Sequence, residues 1–398
     1  MQEVFSGSFT QQEPIPEAGI AAAIDVMRHG RLHRYNTAPG ETAQTVLLEQ
    51  EFAQSVGARY CLAVASGGYA LATALRALGV TGGDTVLTNV FTLAPVPGAI
   101  AAVGAVPVFV GVTDELVLDF DDLEAKAQQA RVLLLSHMRG HICDMNRLTE
   151  ICEKHGITII EDCAHTMGAA WDEKPSGRWG KVGCFSCQTY KHMNSGEGGL
   201  LVTDDPEVAA RAILYSGSYM LYEQHLAGPP KEAFDDLIYE TPNISGRMDN
   251  LRAAILRPQL ATLAKQCARW NVRYAALEAG LRDVPGLKVI ERSEKEHFVG
   301  SSFQFLLPGW SAEKISQAVE CCARRGVALK WFGASDPSGY TSRYDSWAYA
   351  APDPLPASDR VLAGLVDLRV PLTITPSEFS VIARIIREEV GRLYQTET

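Results

Sequence analysis

The chain has no run of about 18 apolar residues, the length that crosses a bilayer as a helix, so no membrane span is expected. Its opening, MQEVFSGSFTQQEP, has neither a basic start nor an apolar core, so no secretory signal is expected. Positive charge is short: 36 Lys and Arg stand against 47 Asp and Glu, and the net charge of −11 argues against nucleic acid or an anionic membrane as a general partner. No GxGxxG follows a strand-like run, which ranks nicotinamide chemistry low. The nine cysteines lack a regular framework and fit free, buried thiols in a reducing cytosol, so a cytoplasmic location is expected. The pair Cys184-x-x-Cys187 has no second CxxC, and in a strand its two side chains would face opposite ways, so no metal is expected.

What is present is a chain of 398 residues, 46% hydrophobic and 21% charged, long enough to bury a large core and fill two domains. Apolar periodicity predicts helices over 16–29 and 41–56, then a strand at 61–65 broken by Ser66-Gly67-Gly68 before another helix. Strands at 85–88, 106–110 and 132–136 alternate with helices, including 119–129 and 144–155, which indicates parallel βαβ units and an α/β fold. A long amphipathic helix is expected over 251–278. Beyond it come strands at 287–290, 302–307 and 328–332 and helices at 312–325, 358–365 and 376–393, an α+β unit. The expected division is 1–255 and 256–398.

The densest chemistry lies in residues 157–205, ITIIEDCAHTMGAAWDEKPSGRWGKVGCFSCQTYKHMNSGEGGLLVTDD. An apolar strand ends in Glu161-Asp162, a second ends near Ser186, and Lys191 follows. Ligands in open α/β sheets collect where strands end. A carboxylate and an amine placed there suit a cofactor with a basic ring nitrogen and a carbonyl. The Gly-rich strand-to-helix turn at Ser66, Gly67 and Gly68 offers free backbone N–H groups to an anion.

The segments EDCAHTMGA, FSCQTYK and SGEGGLLVTDD, in this order and spacing, resemble the sugar aminotransferases of the DegT/DnrJ/EryC1/StrS family, and the likeness runs from about Glu49 to the C-terminus. The resemblance implies a fold-type-I enzyme dependent on pyridoxal phosphate, with a large mostly parallel-sheet domain and a small C-terminal one. It implies Lys191 as the residue that binds the cofactor covalently, Asp162 at the pyridine nitrogen and His165 at the ring. Phosphate contacts would come from Ser186 and the turn Ser66, Gly67 and Gly68. Relatives often carry Gly-Thr in that turn, where this chain has Gly67-Gly68. The ring face would be covered by Leu93 or, after a local shift, Phe91. Relatives place an Asn two residues before an Arg-Met pair, to reach a partner's phosphate; here Ser245 holds that position and Asn243 lies close.

For substrate, the early loop offers Arg34 and Tyr35, beside Arg31 and His33; a loop near the cofactor offers His141 and Arg139; the C-terminal part offers Trp331 and Arg343. The implied activity moves an amino group from an amino acid, Glu or Gln, to a ketone on a sugar or related natural-product intermediate. The implied assembly is a homodimer with its sites at the subunit interface. Alternatives are a dehydration or other elimination, or a regulator that binds the cofactor without turnover. Some dehydratases of the family replace the lysine with histidine, and His192 follows here, but Lys191 is intact.

Overall fold

A computed structural model describes residues 3–336, 343–350 and 352–395. Seven strands form the main sheet in the order Tyr60–Val64, Gly199–Thr203, Val182–Ser186, Thr158–Asp162, Val132–Ser136, Thr85–Asn89, Val106–Val110. Only Gly199–Thr203 runs against the rest; it pairs antiparallel with both of its neighbours. Four of the seven strands are wholly buried along their length and Thr158–Asp162 nearly so. This is why they read as continuous apolar runs rather than alternating ones. Helices Gly67–Ala77 and Pro206–Tyr215 pack together on one side. On the other, Phe52 meets Phe185 edge-to-face with centroids 5.0 Å apart, both fully enclosed. Truncating either ring would cost roughly 3–5 kcal/mol.

The expected helix over 251–278 is two helices, Asn250–Leu260 and Leu263–Leu281. Pro258 cannot donate a helical hydrogen bond and crowds the preceding turn, and Thr262 leaves helical geometry at φ −109°, ψ 2°. The first helix packs on Glu17–His29 and Gln44–Val56, the second on Pro376–Gln395. The chain therefore passes from one layer to the next at this break.

Beyond it, an antiparallel sheet has the order Lys288–Val289, Ser302–Leu306, Leu365–Arg369, Lys330–Trp331. The strand Leu365–Arg369 replaces the expected end of a helix over 358–365; that helix is Pro356–Ala363 and stops at Gly364. A three-stranded sheet joins Glu296–His297 to the hairpin Ala170–Trp171 and Lys174–Pro175, so the second unit is tied to the crossing that follows Asp162. The N-terminal residues also lie on the second unit. The Phe5 amide donates to the Arg325 carbonyl at 2.9 Å, and Glu3 pairs with Arg384 at 2.8 Å. No helix among the described residues is long and apolar enough to cross a membrane.

Candidate active site

Five forward-running strands deliver functional side chains to one edge of the main sheet: Ser66 follows Val64, Leu93 follows Asn89, Arg139 follows Ser136, Asp162 closes its own strand, and Lys191 follows Ser186. A parallel sheet places all these carboxyl ends together. Ser136 and Asp162 are register partners on adjacent strands, and Ser136 Oγ donates to Asp162 Oδ2 at 3.1 Å. Thr92 Oγ1 donates to Ser136 Oγ at 2.9 Å, and the Ala164 amide donates to Asp162 Oδ1 at 3.1 Å. Burial raises the Asp162 carboxyl above its ordinary range, while Lys191 and these donors pull the other way. A buried carboxylate held like this needs a cationic group above it.

Lys191 Nζ lies 2.9 Å from His165 Nε2. Burial lowers its pKa to about 8; Arg139 and Arg369 act in the same direction and Asp162 opposes them. Burial likewise holds His165 well below the usual histidine range, with Lys191 the next cause. Lys191 and His165 share a cavity of about 370 Å³ with Leu93, Arg139, Gln188, Lys330 and Arg369.

The Gly-rich turn adjoins this cavity through Pro95, which is on the wall and 3.9 Å from where a Cβ on Gly68 would stand; the turn itself, Ser186 and Asp162 lie behind that wall. Ser66 caps the helix Gly67–Ala77, its side chain accepting from the Tyr69 amide at 3.1 Å. A Cβ on Gly67 would come within 2.8 Å of Ser186 Cβ and 3.2 Å of its Oγ, so the helix start and Ser186 converge only because the residue is glycine. At Gly199 a Cβ would meet the Ser66 carbonyl at 2.3 Å, so the reversed strand closes on the same turn. A helix N-terminus and a strand-end hydroxyl in this contact suit a phosphate, and a carboxylate and an amine at the neighbouring strand ends suit a pyridine ring and an aldehyde.

The structure distributes the other expected residues as follows. Leu93 is on the cavity wall, whereas Phe91 is 1% exposed and packs on Phe332 with centroids 5.4 Å apart, inside a separate core. Arg34 is buried against Glu49, with two hydrogen bonds of 2.8 and 2.9 Å, and Tyr35 donates to Ser218 Oγ at 2.6 Å. Both brace the early loop and neither lines the cavity. Arg31 pairs with Glu41 at 2.6 Å, and His33 is exposed. His141 is buried and bonded to Gln304 at 2.9 Å, behind the cavity rather than on it. Trp331 donates to the Ala363 carbonyl at 2.7 Å, and it is the adjacent Lys330 that reaches the cavity. Arg343 pairs with Asp345 outside the cavity; residues 337–342, just before it, lie outside the described residues. Asn243 and Ser245 are exposed, in a segment whose Gly246 carbonyl accepts from the Ala65 amide at 2.7 Å, next to the Gly-rich turn.

Sequence reasoning missed Gln188, Tyr190, Lys330 and Arg369, all on the cavity wall. A signal existed for the last: Asp367 and Arg369 interrupt the apolar run of LVDLRV two residues apart. Cys184 and Cys187 enter cores on opposite sides of the sheet. His192, next to the key lysine, is buried with Nδ1 2.7 Å from the Met167 carbonyl and Nε2 2.9 Å from Ser301 Oγ; burial lowers its pKa to about 4, so it stays neutral. Glu161 accepts from the Gly177, Trp179 and Gly180 amides at 2.7–2.9 Å and contacts His137 at 3.0 Å, so its carboxylate serves the crossing rather than the cavity.

A buried carboxylate, a neutral-leaning lysine and a glycine-lined anion turn at the carboxyl edge of a mostly parallel sheet define a pyridoxal-phosphate-dependent enzyme of fold type I. Among such enzymes, the chain belongs to the DegT/DnrJ/EryC1/StrS aminotransferase family, which matches residues 17–387. It is 31% identical over 363 residues to a 3-amino-5-hydroxybenzoate synthase of Amycolatopsis mediterranei, covering 86% of this chain and 89% of the relative. It is 32% identical over 277 residues to an L-glutamine:2-deoxy-scyllo-inosose aminotransferase of Streptomyces kanamyceticus, covering 68% of this chain and 64% of that relative's length. Among solved structures, 3-amino-5-hydroxybenzoic acid synthase superposes with a TM-score of 0.82 at 25% identity, covering 98% of this chain and all of the other.

Proposed function

We propose that this protein transfers an amino group from an amino acid, glutamine or glutamate, to a ketone on a ring-shaped natural-product or sugar intermediate. The observation that carries this reading is Lys191 Nζ, 2.9 Å from His165 Nε2 on the wall of the cavity, with the charge of Asp162 near enough to oppose its deprotonation. The names of the relatives support both the glutamine donor and a cyclic acceptor.

Pyridoxal phosphate supplies the aldehyde that takes up amino groups and a ring that accepts electron density. Asp162 would hold the ring nitrogen, His165 and Leu93 the ring, and Ser66, Gly67, Gly68 and Ser186 the phosphate. Lys191, with its pKa lowered to about 8, has an appreciable neutral fraction near neutral pH and can take a proton from the substrate carbon and return it. Arg139 and Arg369 raise that neutral fraction through space and thus assist proton transfer without touching the reacting carbon.

The division proposed at 255/256 falls inside the helix Asn250–Leu260, ahead of the break at 261–262, and residues 3–9 pack on the second unit. A homodimer is supported by Tyr219, Met220, Leu226, Tyr239 and Ile244, which are 48–87% exposed along one stretch that also holds Asn243 and Ser245. A cytoplasmic location is supported by nine free, buried cysteines. The test of function is to load the protein with pyridoxal phosphate, add glutamine, and follow loss of the lysine-bound absorption with mass detection of the 2-oxo acid. Absence of that product with glutamine and with every other amino acid tried would overturn the reading.

A further inference from the structure

The cavity holds more positive charge than its acidic groups offset. Asp367 and Arg369 lie two residues apart on one strand, Lys330 is the register partner of Asp367, and Ser302 that of Arg369. Strand alternation therefore turns Lys330, Asp367, Arg369 and Ser302 to one face of the second sheet. That face closes the cavity: Ser302, Lys330 and Arg369 are on its wall with Arg139 and Lys191.

Asp367, 2% exposed, has both oxygens engaged: Oδ2 pairs with Arg139 Nη2 at 2.7 Å and Oδ1 accepts from Gln304 at 2.7 Å. Glu13, the acidic residue on the cavity wall, is paired with Arg269 at 2.6 Å. Among the described residues Lys330 and Arg369 make no ion pair. The Lys330 ammonium lies 5.0 Å from the Phe332 ring centre, and the Arg369 guanidinium 4.0 Å from that of Tyr190. Arg139 Nε is buried without a hydrogen-bond partner among the described residues. Arg139 itself sits in left-handed backbone at φ 57°, which an arginine rarely adopts and which its pairing with Asp367 helps to hold.

With Arg139 paired to Asp367, Lys330 and Arg369 are left on the cavity wall with no ion-pair partner among the described residues. An amino acid donor brings one α-carboxylate, and only in the first stage of transfer. A neutral polyol ketone in the second stage would offer the half-buried Lys330 and Arg369 no anion to pair with. Resting on the amino-transfer reading above, we propose that the acceptor is a ring ketone that carries its own carboxylate, held between Lys330 and Arg369 with Arg139 behind them. Lys330 and Arg369 share the cavity wall with Lys191, so a carboxylate held between them stays within the site that holds the amine.

The test uses protein loaded with pyridoxamine phosphate, which bypasses the donor stage. Calorimetric titration compares three ring polyols: quinate, myo-inositol and myo-inositol 1-phosphate. Quinate is expected to bind at least about tenfold more tightly than myo-inositol, the difference a charge-assisted hydrogen bond makes. In single turnovers, the keto acid 3-dehydroquinate should react at least about tenfold faster than neutral scyllo-inosose, and Lys330→Gln and Arg369→Gln should each erase most of that ratio. Equal behaviour of the carboxylated and neutral compounds in wild-type protein overturns the proposal, with no variant needed. So does tighter binding of the phosphate than of quinate. If Arg369→Gln slows the glutamine stage alone and the ketone ratio is unchanged, the cation serves the donor and the proposal falls. Amino transfer to neutral ketones alone would sink this inference and leave the function standing; failure of every donor would sink the function itself.

Discussion

His165 Nδ1 faces the Arg139 amide at 3.4 Å while its Nε2 faces Lys191 Nζ at 2.9 Å. With Nδ1 accepting, a neutral His165 carries its proton on Nε2 and donates it to Nζ, which must then be the uncharged amine. Burial favours the uncharged form of both groups. The pair is thus set for an amine that reacts with an aldehyde, and its cost appears in the stability of the cofactor-free protein.

That cost has a sign. The Lys191 pKa is about 8 in the folded chain against an ordinary 10.5. Between these values the unfolded chain holds a proton that the folded chain has lost, so stability of the apo-protein rises with pH across that window. Below about pH 8 the penalty is present in full. Lys191→Met is expected to stabilise the apo-protein at pH 7 by up to about 3 kcal/mol, read from urea midpoints, and to abolish both the bound-cofactor absorption and turnover. An unchanged spectrum in this variant would remove Lys191 from the site.

Adjacent glycines give a control for the phosphate turn. A Cβ at Gly67 would press on Ser186 at 2.8 Å, whereas at Gly68 its nearest neighbour would be Pro95 at 3.9 Å. Gly67→Ala is expected to weaken pyridoxal phosphate binding by at least about tenfold, the loss of one charge-assisted contact. Gly68→Ala should change it by less than about threefold, within the spread of ordinary surface changes. Equilibrium titration of apo-protein with the cofactor reads both.

The Arg34–Glu49 pair anchors the early loop. Burial alone would raise the Glu49 pKa, but Arg34 and then His225 outweigh it and hold it at about 2. Because this value lies below the ordinary carboxylate range, its stabilisation is full above about pH 4.5 and is lost as pH falls toward 2. Glu49→Ala leaves the Arg34 guanidinium buried and unpaired and is expected to cost roughly 3–5 kcal/mol. Urea denaturation at pH 7 checks this, and a loss under about 1 kcal/mol, typical of surface ion pairs, would show that the loop relaxes and hydrates Arg34.

The strand-end chemistry was legible because it is local. Asp162 and Lys191 each sit a few residues from an apolar run, and a parallel sheet must gather such ends at one edge. Arg34 and His141 misled for the opposite reason: a polar residue in a loop reads as available, while its buried partners, Glu49 and Gln304, lie 15 and 163 residues away. Trp331 and Lys330 differ by one step of strand alternation, which depends on a register with Leu365–Arg369, a strand absent from the sequence-based expectation. Lys330 and Arg369 could be recognised only once that pairing was known.

The opening segment joins distant parts of the molecule. Phe5 lies so close to Gly326 that a Cβ there would stand 1.8 Å from its carbonyl oxygen, and Phe9 and Gln12 to Pro16 go on to line the mouth of the cavity. The wall that Lys191 shares with Phe9 and residues 12–16 therefore depends on how firmly the last hundred residues grip the first ten. Drift in sequence far from the chemistry, at the Gly326 turn or on the Arg384 helix, can retune which molecules enter without altering a residue that meets them.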